Sequence, residues 1–78
     1  MIKYTSHALE NLLKRKITKD KVKKCLENPD IKASGISNKT IFLKDFGKNY
    51  LKVIAIKEEK DLIVITEYWI DSRRVKKV

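Results

Sequence analysis

Residues 50–70, YLKVIAIKEEKDLIVITEYWI, decide the fold of this 78-residue chain. Two apolar blocks, Tyr50 to Lys57 and Leu62 to Ile70, are rich in the β-branched residues that favour strands. The polar residues Glu58 to Asp61 predict a short turn, so the two strands should pair as an antiparallel hairpin. Because both blocks are apolar at successive positions, we expect these strands to be central and partly covered on both faces.

Two weaker strand patterns precede this hairpin. Asp30 to Ile36 and Lys39 to Phe46 have the composition of strands, and residues 46–49 (FGKN) form a turn signal. The short polar connections predict an antiparallel meander of four strands. Residues 2–4 (IKY) are a candidate for one extra edge strand at the N-terminus.

The region before the strands has helical periodicity. Thr5 and Ser6 are good N-cap residues before HALENLLKRK (7–16). On a helical wheel Leu9, Leu12 and Leu13 form one apolar stripe, which should pack against the sheet. The other side of this helix carries His7, Asn11, Lys14 and Arg15.

A second helix should follow almost without a linker. Thr18 provides a new N-cap, and Val22, Cys25 and Leu26 form a buried stripe. The Asn-Pro pair at 28–29 ends this helix, because the residue before proline avoids the α region. The predicted fold class is α+β, with two N-terminal helices packed on a four-stranded antiparallel sheet, in a single domain over residues 1–78.

The charge of the chain is strongly positive. Lys and Arg number 19 against 10 Asp and Glu, which gives a net charge of +9. Basic residues concentrate at 14–24 and again in the tail at 73–77. Such a field favours polyanions, nucleic acid first, although an acidic protein partner would meet the same field. No apolar run approaches the roughly 20 residues that span a bilayer, and no signal peptide is visible, so we expect a cytoplasmic protein without membrane contact.

Few residue types are available for catalysis. A single cysteine, Cys25, excludes an intrachain disulfide and a multi-cysteine zinc site, and a single histidine excludes a two-histidine metal centre. We therefore expect no metal and no cofactor. Histidine is the side chain that titrates near neutrality, so His7 is either a general base or acid, or only a residue at the start of a helix.

Arg15 follows His7 by eight residues, about 12 Å along the same helix edge, and its planar guanidinium matches phosphate oxygens. We expect Thr66 and Tyr68 to share one face of the last strand with Leu62 and Val64, although strand propensity alone also explains both residues. The candidate catalytic residues are His7, Arg15, Thr66 and Tyr68. The candidate nucleic-acid-binding residues are Lys14, Lys44, Lys52, Arg73 and Arg74, and a solvated surface is the alternative for the lysines.

The stretch HALENLLKRKITKDKVKKCLENPD (7–30) resembles the opening of a small prokaryotic family of domains of unknown function. Members begin with His-Ala, carry Arg eight positions later, then Ile, Ser or Thr, spaced Val and Leu, and Asn-Pro. LKVIAI (51–56) and LIVITEYW (62–69) resemble that family's core strands. The chain differs from the family at Asn11, where arginine is common, and at Lys16, where glycine is common.

The resemblance implies the barnase, EndoU, colicin and RelE-like fold, whose members are mostly metal-independent ribonucleases, many of them toxins of toxin–antitoxin pairs. It therefore implies roles for His7, Arg15 and Thr66 in cleaving RNA by attack of a 2′-hydroxyl, with an acidic antitoxin as a second partner. Two alternatives stay open on sequence: a non-catalytic RNA-binding module, and a protein-interaction domain of the same fold.

Overall fold

The structure is a computed structural model that describes residues 1–74, and its fold class is α+β. Over these residues the elements are β1 (Ile2–Tyr4), α1 (Ser6–Lys14), α2 (Lys19–Glu27), β2 (Ile31–Ser34), β3 (Lys39–Asp45), β4 (Asn49–Glu58), β5 (Asp61–Asp71) and a 3-10 turn (Ser72–Arg74). In this part of the chain, neither helix has the length and apolar character needed to cross a membrane. The predicted tail residues 75–77 and the last residue of the predicted domain lie outside the described residues.

The sheet contains the predicted meander and one further strand. Its order is β1-β5-β4-β3-β2, and the strands from β2 to β5 pair antiparallel, so β4 and β5 take the predicted inner positions. Strand β1 pairs with β5 in parallel, with Ile2 opposite Leu62. The candidate edge strand at residues 2–4 is confirmed, but the prediction of a four-stranded, wholly antiparallel sheet is wrong, because the fifth strand makes the sheet mixed. Three residues of strand-forming sequence indicate neither a partner nor a direction, and here the partner lies at the other end of the chain.

A β-bulge in the hairpin of β4 and β5 changes which residues face the helices. The register shifts at Ile54–Ala55, where Ala55 opposes Val64 but Ile54 opposes Thr66. Successive residues of β4 point to opposite faces, so Val64 and Thr66 lie on opposite faces too. The prediction that Thr66 and Tyr68 share a face with Leu62 and Val64 is therefore wrong, because an extra residue in β5 breaks the alternation.

Helix packing distinguishes the two faces of the sheet. The helix face contains Leu51, Val53 and Ala55 of β4, all fully buried in a cluster with both helices. The open face contains the intervening residues of β4, which are half-buried, and α1 reaches it at the edge of β5, where Asn11 bonds Thr66. Helix α2 packs as predicted, with Val22, Cys25 and Leu26 buried.

Helix α1 begins as predicted but buries a different side. Thr5 is its N-cap and accepts a hydrogen bond from the Ala8 amide at 3.1 Å. The buried residues are Ala8, Asn11 and Leu12, whereas Leu9 and Leu13 are 42% and 85% exposed. The predicted stripe of three leucines is therefore wrong. The small Ala8 side chain lets the helix approach the edge of the sheet closely, and that contact turns the two outer leucines toward solvent.

The end of α1 explains one departure from the resembling family. Lys16 has a φ of 53°, in the left-handed region that glycine adopts most easily. Glycine, common at this position in that family, would reach the same turn without a steric cost. The turn directs the chain into Ile17, whose amide donates to the Leu12 carbonyl at 3.0 Å and whose side chain joins the core.

Candidate functional site

Tyr68 lies between two cationic side chains at the border of the open face. Its partner across the hairpin is Lys52, whose Nζ lies 5.4 Å from the centre of the Tyr68 ring. The guanidinium carbon of Arg15, which follows the last residue of α1, lies 5.5 Å from the same ring centre. Cations at these distances are attracted to the electron-rich ring. The ring thereby holds two positive charges close together on a strand and a helix end.

Arg15 is tied to the edge of β5 that β1 leaves unpaired. Strand β1 pairs only with residues 62–64, and beyond them α1 runs along the edge. The Arg15 Nη1 donates to the Glu67 carbonyl at 3.0 Å, and the Trp69 Nε1 donates to the Arg15 carbonyl at 3.1 Å. Thr5 acts similarly, since its Oγ1 donates to the Ile65 carbonyl at 3.2 Å. These bonds satisfy an edge that would otherwise be open to pairing, and they fix Arg15 beside Tyr68.

The positive charges of Arg15 and Lys52 are available to a ligand. Within residues 1–74, neither Arg15 nor Lys52 has a carboxylate within ion-pair distance. A guanidinium has five N–H donors, and the Glu67 carbonyl takes one of those of Arg15. The remaining donors, with the Lys52 ammonium, suit an anion with several oxygens such as a phosphate.

Thr66 has a structural partner that sequence reasoning did not assign. The Asn11 Nδ2 donates to the Thr66 Oγ1 at 3.0 Å, and Asn11 is only 4% exposed. The half-buried Thr66 hydroxyl therefore has its partner on α1. A buried asparagine must also find its hydrogen bonds within the protein, so the pair joins α1 to β5 at the residue just after the bulge.

The structure keeps His7 apart from this group. His7 is exposed near the start of α1 and, within residues 1–74, has no hydrogen bond or ion pair. It lies about 12 Å from Arg15 by helical rise, two turns earlier along α1. Arg15, Thr66 and Tyr68 come together at one end of β5, and the histidine joins them only as a neighbour on the same helix.

The predicted basic residues divide between the two faces. Lys52 is beside Tyr68, but Lys44 lies on the helix face and donates to the Asn28 carbonyl at 3.0 Å, closing the end of α2. Lys14 is exposed at the end of α1. Arg73 pairs with Asp71 at 2.9 Å, and Arg74 is exposed. Nucleic-acid binding by these residues stays a prediction.

A cleft continues from Tyr68 toward the end of the described chain. Its volume is about 590 Å³, and its lining residues are Tyr68, Trp69, Ile70, Asp71, Arg73 and Arg74. The Trp69 ring belongs to a separate aromatic contact, edge-on to Phe46 at 6.0 Å, with the Lys21 Nζ 5.2 Å from the Trp69 ring centre. The cleft therefore extends from the Tyr68 ring past Trp69 to the two arginines of the 3-10 turn.

Glu67 is the residue that sequence reasoning missed. It lies on the helix face with an exposed fraction of 0%, and within residues 1–74 neither carboxyl oxygen has a hydrogen-bond partner. Burial raises its pKa to about 7, although the nearby Arg15 acts in the opposite direction. Burial, followed by the charge of Glu67, raises the pKa of Tyr4. An acid within LIVITEYW (62–69), on a strand predicted to be covered on both faces, was the signal available in the sequence.

Comparison with known proteins gives one match. A family model described as a domain of unknown function, DUF4258, matches residues 4–69. No curated protein and no solved structure matches the chain. The matched residues include His7, Arg15, Lys52 and Tyr68, and end before the two arginines of the 3-10 turn. Among residues 1–74, no three His, Cys, Asp or Glu side chains are grouped as metal ligands would be.

Proposed function

We propose that this chain, which belongs to the DUF4258 family of domains of unknown function, binds single-stranded RNA at Tyr68. The observation that carries this proposal is the placement of Arg15 and Lys52 on either side of the Tyr68 ring. Two cations on either side of one ring can each neutralise a phosphate of the same strand, and each contact releases counterions from that strand. The net charge of +9 adds long-range attraction for the same ligand.

The cleft beside Tyr68 provides room for further nucleotides. Arg15 and Lys52 contact neighbouring phosphates, and the chain of RNA continues past Trp69 toward Arg74. Aromatic and cationic side chains together are typical of surfaces that bind single strands, because bases stack while phosphates are neutralised. The aliphatic remainder of the open face, with Ile54 and Ile56, offers no comparable contact to a base.

Cleavage of the bound RNA is the second candidate function, supported by the exposed His7 on the same helix and by the resemblance to the RelE-like ribonucleases. The 2′-oxygen forms a bond to the adjacent phosphorus, and the bond from phosphorus to the 5′-oxygen breaks. His7 is the candidate acceptor of the 2′-hydroxyl proton and Tyr68 the candidate donor to the leaving oxygen, and the reaction requires the bound state to bring His7, about 12 Å along the helix from Arg15, to the same phosphate. Arg15 and Lys52 stabilise the charge of the phosphorane. This reaction would make the chain a toxin, and an acidic antitoxin would then cover the same cations.

Binding is tested by fluorescence anisotropy with a short labelled single-stranded RNA over a range of salt concentrations. We expect Arg15→Gln and Lys52→Gln each to weaken binding by about tenfold and to reduce the salt slope by about 0.7, the value for one phosphate contact on a single strand. Lys60→Gln is the matched control, because it removes the same charge at the exposed β4–β5 turn, at the far end of β5. Equal effects of all three substitutions would show that the site has no special role.

Cleavage is tested with the same RNA in excess EDTA. The reaction predicts products with 2′,3′-cyclic phosphate and 5′-hydroxyl ends, formed by the wild type and lost in His7→Ala, while RNA affinity is retained. If neither protein cleaves, the catalytic candidate is removed and RNA binding remains.

A further inference from the structure

Glu67 is a carboxylic acid enclosed between the sheet and α1, one residue from the centre of the proposed RNA site. Its exposed fraction is 0% and its oxygens have no partner within residues 1–74, so it cannot touch RNA. A buried acid of this kind is costly to ionise and is not needed for packing, since an apolar residue would fill the same space. Its position beside Arg15 supplies a reason for it to be there.

Arg15 lies at the strand edge between two attractions on opposite faces. Its guanidinium donates to the backbone carbonyl of Glu67 and lies over the ring of Tyr68, the next residue. The carboxyl group of Glu67 points to the helix face, whereas Tyr68 points to the open face. A charge on Glu67 therefore acts on the guanidinium from the side away from the proposed ligand.

We propose that Glu67 is a positioning residue that couples RNA binding at Tyr68 to pH through Arg15, an inference that rests on the proposed RNA-binding function. When Glu67 is neutral, Arg15 keeps its full charge at Tyr68. When Glu67 ionises, its carboxylate draws the guanidinium toward the helix face and offsets its charge, so RNA affinity falls. The titration of Glu67 near pH 7 places this change within the physiological range.

The other charged groups around Glu67 do not replace this coupling. On β1, Tyr4 interacts with the Glu67 charge, but phenols titrate far above neutrality. On β4 the cross-strand neighbour is the apolar Val53. On α2, Lys19 lies over the Tyr4 ring and Lys21 over the Trp69 ring, at 5.4 Å and 5.2 Å from the ring centres. Arg15, at the end of α1, is the cation near Glu67 that is also part of the proposed RNA site.

The first experiment measures RNA affinity against pH by anisotropy. It uses a His7→Gln background, so that the histidine on α1 cannot contribute to the response. We expect affinity to fall by about tenfold from about pH 6 to about pH 8.5, the size of one charge-assisted contact. Adding Glu67→Gln should keep the affinity high at both ends. Glu10→Gln, on the exposed side of α1, is the matched control and should retain the response.

The second experiment uses the wild-type chain without RNA, so it does not depend on the folding of a variant. NMR follows the Glu67 carboxyl carbon, the Arg15 Nε–H and the Tyr68 ring protons as the pH is raised. We expect all three to change with one midpoint near pH 7. Arginine and tyrosine signals that stay constant while Glu67 titrates would overturn the proposal, as would a pH response of binding that survives Glu67→Gln.

Failure of the proposed function is distinguishable from failure of this inference. Absence of RNA binding at every pH would remove the proposed function and, with it, the coupling to RNA. RNA binding that loses strength in Arg15→Gln but shows no dependence on pH in the His7→Gln background would remove only the role of Glu67.

Discussion

The two faces of the sheet come from the same strands but differ in what they contain. On the helix face, Leu51, Val53 and Val64 are fully buried among the helices. On the open face, Ile54 and Ile56 of β4 are half-buried, although their side chains are as apolar. Apolar composition therefore does not distinguish a closed face from an open one, and the helices make the difference.

Each face of the sheet holds a charged residue, and the carboxyl group lies on the buried face, where charged residues are uncommon. The closed face holds Glu67, an acid whose oxygens have no hydrogen-bond partner among residues 1–74, whereas the open face holds Lys52 in contact with the Tyr68 ring. Arg15, at the edge of β5, bonds the Glu67 carbonyl and lies over the Tyr68 ring. The comparison indicates that the chemistry of this protein lies at the border between the faces, where one side chain can respond to both.

The largest expected difference between the faces concerns stability. Leu51→Ala should lower the free energy of unfolding by about 3 to 4 kcal/mol, because it leaves a cavity in a fully buried cluster. Ile54→Ala, on the open face of β4, should lower the free energy of unfolding by about 1 kcal/mol, since the Ile54 side chain is partly exposed to water. Urea denaturation measures both. Similar losses would show that the open face is covered as tightly as the helix face.

The next effect concerns the pH dependence of stability. The folded state raises the pKa of Glu67 from 4.5 to about 7, so the unfolded chain releases this proton at lower pH than the folded chain does. The contribution of Glu67 to stability is therefore largest below pH 4.5 and decreases up to about pH 7, by about 3 kcal/mol in total.

Glu67→Gln removes this ionisation, and its stability relative to the wild type should rise by that amount across the same range. The measurement is urea denaturation of both proteins at several pH values. A constant difference between them would contradict the raised pKa. Glu10→Gln again serves as the control, because its side chain is exposed.

The hydrogen bond that joins α1 to the bulge should have an intermediate effect. Thr66→Val leaves the buried Asn11 amide without its acceptor, which should cost about 2 kcal/mol. Combining it with Asn11→Ala should cost less than the sum of the single substitutions, because both remove one bond. Additive losses in chemical denaturation would show that the two side chains do not interact in solution.

The smallest effects come from two lysines on opposite faces. Lys44→Gln removes the donor that closes α2 and should cost about 0.5 kcal/mol of stability, with RNA affinity little changed. Lys52→Gln should leave stability within about 0.5 kcal/mol, because it is a substitution away from the core, and weaken RNA binding. The pair is read by denaturation and anisotropy together. Loss of RNA affinity in Lys44→Gln as large as in Lys52→Gln would place the ligand elsewhere.

Local patterns were sufficient to predict most elements of the fold. Threonines 5 and 18 begin the helices as predicted, since N-capping depends on neighbouring residues. The inner position of β4 and β5 followed from apolar residues on both faces. The parallel pairing of Ile2 with Leu62 could not be predicted, because nothing local in three residues specifies a partner far along the chain.

The candidate site was predicted in part for the same reason. Arg15 and Tyr68 were selected for their chemistry, and the structure places them together. The register shift at the bulge was not visible in the sequence, so the face of Val64 relative to Thr66 was assigned wrongly. Asn11 and Glu67 were missed because their importance comes from burial by α1 at the strand edge, which a helical wheel drawn around leucines cannot show.

The pairing of β1 with β5 also determines when the fold can be completed during synthesis. Residues 2–4 can pair only after residues 62–64 have been synthesised, and Arg15 can contact Tyr68 only after Tyr68 has been synthesised. A ribosome adds roughly 5 to 20 residues per second, so the first helix emerges seconds before its strand exists. The group of Arg15, Lys52 and Tyr68 that we propose as an RNA site therefore forms only when β5 has left the exit tunnel.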